Sequence, residues 1–242
     1  MASSLFSAPA GLDNSLTAQV MNGVRAAIEE RRMTPGNLYS VYQVAEELGI
    51  SRSPVRDALL RLEEAGLIRF ERNRGFRVLQ TTPHDVAEIF AIRMALEIPA
   101  AHRAALLMSA EQEAELQQAV VLALAAAEAG DEALFFHHDQ QIHDIILVAA
   151  HNERARQQIS RLRVSTRLLG VSTAGDARTL SDIVEEHQPI IDGVLGHDPE
   201  RAAAGMRRHL EHTGRLLVAQ AVRKQDLDLD PDEVWDEMTW GF

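Results

Sequence analysis

The 242-residue sequence contains no cysteine. Disulfides, thiolate catalysis and cysteine-held zinc are excluded, so any metal must be bound by nitrogen and oxygen donors. The absence fits a reducing cytoplasm, which is the expected compartment. No apolar run reaches the eighteen or so residues that a spanning helix requires, so a membrane role is not expected. The opening stretch, MASSLFSAPAGLDNSL, has no basic start followed by an apolar core. It reads as neither a secretory signal nor a transit peptide, and residues 1–16 are expected to be a disordered lead-in.

What is present is a globular composition, 46% hydrophobic, on a chain long enough for two modest domains. The net charge of -12 argues against general nucleic-acid affinity, but the charge is unevenly placed. Residues 17–80 carry ten Lys/Arg against eight Asp/Glu, and the rest carries fourteen against twenty-eight. A slightly basic head precedes a strongly acidic body.

The head has a readable order of elements. Leu16, Val20, Val24 and Ile28 recur at helical spacing before the breaker TPGNL. In SVYQVAEELGI, Ser40 and Gln43 form a capping box and Gly49 suits the left-handed end of a short helix. In SRSPVRDALLRLEEAGL, Ser53 is a candidate cap with Pro54 in the first helical position, and Val55, Leu59 and Leu62 line one side. IRFERNRGFRVL then reads as two strands, residues 68–71 and 76–79, around an Asn-Arg-Gly tip. Helix, turn, helix and hairpin in this order predict a winged helix-turn-helix over residues 17–80. DNA chemistry asks for arginine at the N-terminus of a helix that enters the major groove. Arg52 and Arg56 are so placed, Ser51 and Ser53 can donate to phosphates, and Arg72, Arg74 and Arg77 around Gly75 can follow the backbone. The alternative is a solvated arginine face.

After TTPHD, where Thr82 or Asp85 can cap, residues 83–223 are rich in Ala, Leu, Glu and Arg. Six or seven helices are expected, at about 83–107, 110–129, 131–150, 152–170, 179–196 and 198–223, with GVSTAGDA at 170–177 as the main irregular connection. The tail 224–242 is acidic, holds both tryptophans and shows no clear helical period. It is expected to be disordered or to dock on a partner.

Four of the ten histidines crowd into FFHHDQQIHDIILVAAHNE, residues 135–153. Periodicity separates them. Asp139 and His143 share an inward stripe with Phe136, Ile146, Leu147 and Ala150, while His137 faces outward, His138 stays open and His151 sits at a helix end. His187 lies with Ile183, Ile190 and Val194, and His209 with Met206, Leu210 and Leu217, whereas His212 falls between Arg208 and Arg215. A buried Asp139 needs a cation or strong donors, because an unpaired carboxylate in an apolar core costs several kcal/mol, roughly. Spacing alone leaves two readings open, satisfied core histidines or convergence on a divalent ion. Arg93, on a stripe with Ile89, Phe90 and Leu96, has either Glu97 one turn on or an acidic ligand as its target.

ELGISRSPVRDALLRLEEAGLI with NRGFRV resembles the winged-helix head of the GntR family of bacterial transcription regulators. By that resemblance Arg52, Ser53, Arg56 and Gly75 fall on DNA-contact positions. The chain departs from many members in SVYQ, where Tyr42 replaces a basic residue, so operator preference is not transferred. DQQIHDIILVAAHN, EEHQPIIDGV and AAAGMRRHLEHT are similar to segments of the FCD effector domain of FadR-type members. The resemblance implies a divalent metal, zinc first with nickel or manganese as alternatives, on Asp139, His143, His187 and His209. It also places Arg93 in the family's Arg-x-x-Leu-Glu motif.

The expected fold class is mostly α, a winged helix-turn-helix followed by an all-helical bundle that binds effector and dimerises. The expected function is a ligand-responsive regulator, a repressor, that binds a palindromic double-stranded operator as a homodimer and senses a small carboxylate. Two alternatives stand beside it. One is a metal-dependent enzyme, for which no further acid-base or nucleophilic constellation is visible; the other is a regulator whose histidines hold the effector without metal.

Overall fold

The computed structural model describes residues 15–168, 174 and 178–241. Of the lead-in expected to be disordered at 1–16, residues 1–14 lie outside the described residues, as does the connection expected at 170–177 apart from Ala174, whereas Ser15 and Leu16 are ordered as the cap and start of the first helix. Backbone contacts divide the described residues into two compact units, residues 15–81 with 164–168, and residues 82–163 with 174 and 178–241.

The first unit is a winged helix-turn-helix. Helix α1 (Leu16–Glu29) buries Val20, Val24 and Ala27, α2 is Val41–Leu48 and α3 is Arg52–Glu64. The Ser40–Gln43 capping box is formed, and Gly49 closes α2 with φ 66°, a left-handed conformation that costs glycine least. One cap differs from expectation. Ser51, not Ser53, is the N-cap of α3, so the helix starts one residue after it and Pro54 falls within the first turn. Pro54 is tolerated there because first-turn N–H groups have no partner inside the helix.

The wing consists of β2 (Ile68–Glu71) and β3 (Gly75–Val78), joined through Asn73 in a left-handed conformation. A third strand, β1 (Leu38–Tyr39), pairs antiparallel with β3, giving the order β1-β3-β2. Two residues carry no period, so only the pairing reveals β1. Gly75 has φ 116°, and a Cβ there would lie 2.1 Å from the Tyr39 carbonyl oxygen. Its bare backbone thus lets the wing cross β1. Phe76 and Val78 face the core with Val44, Val55, Leu59, Leu62 and Ile68.

The second unit is all-helical: α4 (Pro83–Leu107), α5 (Ala110–Glu128), α6 (Glu132–Ala149), α7 (Glu153–Leu168, as far as Arg163), α8 (Leu180–Leu195), α9 (Pro199–Gln225) and α10 (Pro231–Thr239). Thr82 and Asp85 cap α4 together as a capping box, with Pro83 in the first turn. His151, φ 54°, terminates α6 by donating its N–H to the Val148 carbonyl, and Asn152 accepts the Ala155 N–H to start α7. Helix α4 packs on α9, α8 on α9 and α5 on α6. Close approach of α8 and α9 depends on Gly205, where a Cβ would lie 2.8 Å from the Ile190 nitrogen.

The acidic tail is ordered where sequence periodicity suggested otherwise. Helix α10 packs against α4 and α9, burying Val234 and Trp235 and leaving Trp240 exposed. Nine residues are too few for a helix to persist alone in water, so docking, not propensity, stabilises it. Among the described residues, no helix is long and apolar enough to cross a membrane.

Candidate DNA-reading surface and metal centre

In the head, Ser51, Arg52, Ser53 and Arg56 are exposed at the N-terminus of α3, where the helix dipole favours phosphate. The Ser51 hydroxyl makes no capping bond and is therefore not consumed by the helix. The Arg52 guanidinium carbon lies 4.9 Å from the ring centroid of exposed Tyr42 on α2. Tyr42 can thus hold Arg52 by cation-π attraction. On the wing, Arg72 and Arg74 are exposed, with Arg74 3.1 Å from Glu71. Arg77 differs from its neighbours: it donates Nε to Glu71 at 2.6 Å and Nη1 to the Gly36 carbonyl, so it ties the wing together internally.

In the body, the inward stripes converge. Asp139 and His143 come from α6, His187 from α8 and His209 from α9, and all four are buried. His137 and His212 are exposed; His138 is buried but bonded locally to Gln141 at 2.7 Å. Phe135 rather than Phe136 is the fully buried aromatic of α6. It lies four residues before Asp139, one helical turn back on the same face.

Hydrogen bonds set the protonation of the ring nitrogens. The Ile183 carbonyl can only accept, so His187 donates Nδ1–H to it at 2.7 Å. Likewise His143 donates Nδ1–H to the Glu97 carboxylate at 2.5 Å. Both Nε2 atoms are left facing each other at 3.2 Å, and His187 Nε2 is also 3.1 Å from Asp139 Oδ1. Two lone pairs and a carboxylate oxygen at such distances repel unless a cation lies among them, either a proton on His187 Nε2 or a metal ion in its place. His209 adds a buried Nδ1 that has no hydrogen-bond partner, 3.4 Å from Glu186 without bonding geometry. Donor nitrogens of the three histidines lie within 4.8 Å of one another, and nitrogen and oxygen donors of this kind suit zinc, nickel or manganese.

Electrostatics keep these donors ready for a metal. Burial lowers the His143 pKa to about 4, assisted by the Arg163 charge and opposed by Glu97. Burial, then the neighbouring His187 and His143, holds His209 well below its ordinary value. Neutral imidazoles are the ligating form. Burial would raise the carboxyl pKa values, but Arg163 together with His187 and His143 outweighs it at Asp139, and Arg93 with His143 and Arg163 outweighs it at Glu97, so both carboxyls stay ionised.

Asp139 stands beside the histidine trio rather than within it, because its Oδ2 accepts from Arg163 Nη2. The cation required by a buried carboxylate is thus at least partly supplied by α7. Arg163 is a site residue that sequence reasoning missed, although it falls four and eight residues after the buried Ile159 and Ala155, on the inward stripe. Glu97, expected only as a partner of Arg93, bridges it to the site. It accepts from Arg93 Nε at 2.7 Å on one oxygen and from His143 on the other. Arg93 Nη2 remains buried without an acceptor.

Comparison with known proteins agrees with this two-part architecture. The family model described as bacterial regulatory proteins, gntR family, matches residues 16–78, and the FCD domain model matches residues 88–212. An uncharacterized HTH-type transcriptional regulator from the TAR-I ttuE-ttuC' intergenic region of Agrobacterium vitis is 33% identical over 132 residues, 53% of this chain and 77% of the relative. A probable D-xylose utilization operon transcriptional repressor of Paenarthrobacter nicotinovorans is 28% identical over 196 residues, 81% of this chain and 86% of the relative. Among solved structures, E. coli McbR/YncC shares the fold with a TM-score of 0.66 at 24% identity, covering 86% of this chain and 99% of that one.

Proposed function

Since the chain belongs to the GntR family of bacterial regulatory proteins and carries an FCD domain, we propose that it is a ligand-responsive repressor whose helical body senses a small organic acid beside a divalent metal ion. Its family and domains make it a DNA-binding transcription regulator. Repression is supported by the printed role of the Paenarthrobacter relative. Ser51, Arg52, Ser53 and Arg56 would read the operator from α3, and Arg72, Arg74 and the backbone at Gly75 would follow it from the wing. A winged helix touching few base pairs gains specificity by pairing on a palindrome, so the active form is a cytoplasmic homodimer on a two-fold operator.

The observation that carries the sensing half is the 3.2 Å approach of the His143 and His187 Nε2 atoms, with both Nδ1–H groups already engaged. His143, His187 and His209 would hold the metal with Asp139 at their edge, zinc first and nickel or manganese as alternatives. A metal bound there supplies open coordination positions for a carboxylate oxygen. Arg93 Nη2, buried and unpaired, would take an anionic group of the same ligand. Control of DNA then needs only that the acid bind one of two states of differing operator affinity more tightly.

The same atoms are also satisfied by a proton on His187 Nε2 shared with Asp139, which favours a second reading, a metal-free effector pocket. Metal analysis of protein purified without nickel columns separates the two. Close to one ion per chain, lost in His187→Ala with operator binding retained, supports the metal; equal metal content in both proteins removes it. Ligands found by thermal shift should be recovered intact, since turnover would instead indicate an enzyme.

A further inference from the structure

Around the histidines, the polar interior of the body holds two buried guanidiniums, Arg93 and Arg163, against two buried carboxylates, Glu97 and Asp139, while a third buried guanidinium, Arg178, is paired with Glu186. Those four side chains balance one another in charge. A divalent cation among the histidines would leave the group two positive charges in excess, a costly condition in a low-dielectric interior. Charge balance therefore calls for an anion, and the donors to receive one are already in place. Arg163 Nε is buried without an acceptor, and its Nη2 donates to Asp139 Oδ2. Nε and Nη2 are the two parallel donors on one edge of a guanidinium, the edge that grips a carboxylate with two bonds. Leaving such a charged donor unpaired in the interior is costly.

We propose that Arg163 is an anion-receiving residue held in reserve by Asp139: when Asp139 turns from Arg163 to a bound cation, the Nε–Nη2 edge is released to take the carboxylate of the effector. The idea rests on the metal reading above and extends it. Metal and acid then bind with positive coupling through one carboxylate that has two possible partners. The adjoining pocket indicates the rest of the ligand. Phe135, Ile142, Val184 and Ile191 line it, and Asp139 and His187 stand at its polar end. A small acid with a short apolar arm matches that lining in polarity.

The test uses the full-length protein, zinc measured by competition with a chromophoric chelator, and propionate as the probe acid measured by calorimetry. Zinc-loaded wild type should bind propionate saturably and at least tenfold more tightly than the zinc-free protein. Arg163→Met should lose that binding by tenfold or more, while binding zinc more tightly than wild type because Asp139 is no longer engaged. Arg163→Lys, which keeps the charge but not the paired edge, should restore folding if Met does not and still bind propionate weakly. Absence of saturable propionate binding to the zinc-loaded wild type, or equal propionate affinity in wild type and both variants, overturns the assignment. Zinc binding in wild type that Arg163→Met leaves unchanged overturns it while leaving the metal reading intact. Absence of zinc binding in wild type overturns both.

Discussion

Glu97 of α4 accepts the Nδ1–H of His143 at 2.5 Å while holding Arg93 with its other oxygen, so one buried carboxylate sets both the tautomer of a candidate metal ligand and the position of a candidate effector residue. Outer partners of this kind raise ligand basicity and orient the ring. Glu97→Gln keeps the size but replaces the anionic acceptor by an amide that also donates. Zinc affinity should fall about 10- to 100-fold, the usual effect of such partners, with operator affinity of the metal-free protein unchanged. Chelator competition and gel-shift titration on the same preparation check both halves.

Arg56→Ala should weaken operator binding by about 1–3 kcal/mol if the side chain pairs with a base, and relax specificity at one position of each half-site. Arg72→Ala on the exposed wing should act differently, reducing affinity for all sequences and the salt slope by about one. Titrations at several salt concentrations distinguish them. Metal content should be unchanged in both variants.

Trp235 rests on Gly214 and tilts against Phe90 at 6.1 Å between ring centroids, and Phe90 in turn lies under the Arg93 guanidinium at 4.7 Å. Trp235→Ala empties a fully buried site and should cost about 3–5 kcal/mol. Gly214→Ala places a Cβ 2.0 Å from the indole and should cost about 1–3 kcal/mol through overpacking, chiefly by lifting α10. Urea unfolding gives the magnitudes, and protection of α10 amides from hydrogen exchange shows where the loss falls.

Thr179 and Asp182 form the capping box at the start of α8, the helix that carries His187. The Thr179 backbone N–H and hydroxyl hold the Asp182 carboxyl below its ordinary value. A depressed folded-state pKa means that the unfolded chain binds the proton more readily, so the contribution is present above the ordinary value near 3.8 and is lost as pH falls below it. Asp182→Asn should be less stable than wild type at neutral pH, and the gap should narrow on acidification. Thermal unfolding between pH 7 and pH 3 checks the sign.

Much of this was legible from residue spacing. Helix periodicity marked Asp139, His143, His187 and His209 as inward and His137 and His212 as outward, because a 3.6-residue repeat assigns faces without knowledge of what lies opposite. It also required a cation for Asp139. Spacing said nothing of which side chain would come from which helix. Arg163 on α7, Glu97 between Arg93 and His143, and the seat of Trp235 on Gly214 all depend on how helices distant in sequence pack.

The sequence by itself therefore determined the elements other than β1 and α10, their buried faces, the basic head and the kind of chemistry the body requires, since each follows from local patterning and from the cost of burying polar groups. Only the tertiary structure decided who answers that requirement: Asp139 is shared between Arg163 and the histidine trio, β1 exists because β3 offers it hydrogen bonds, and α10 is a helix because Trp235 has somewhere to go. Those outcomes belong to contacts between segments, and their energies are paid only when the segments meet.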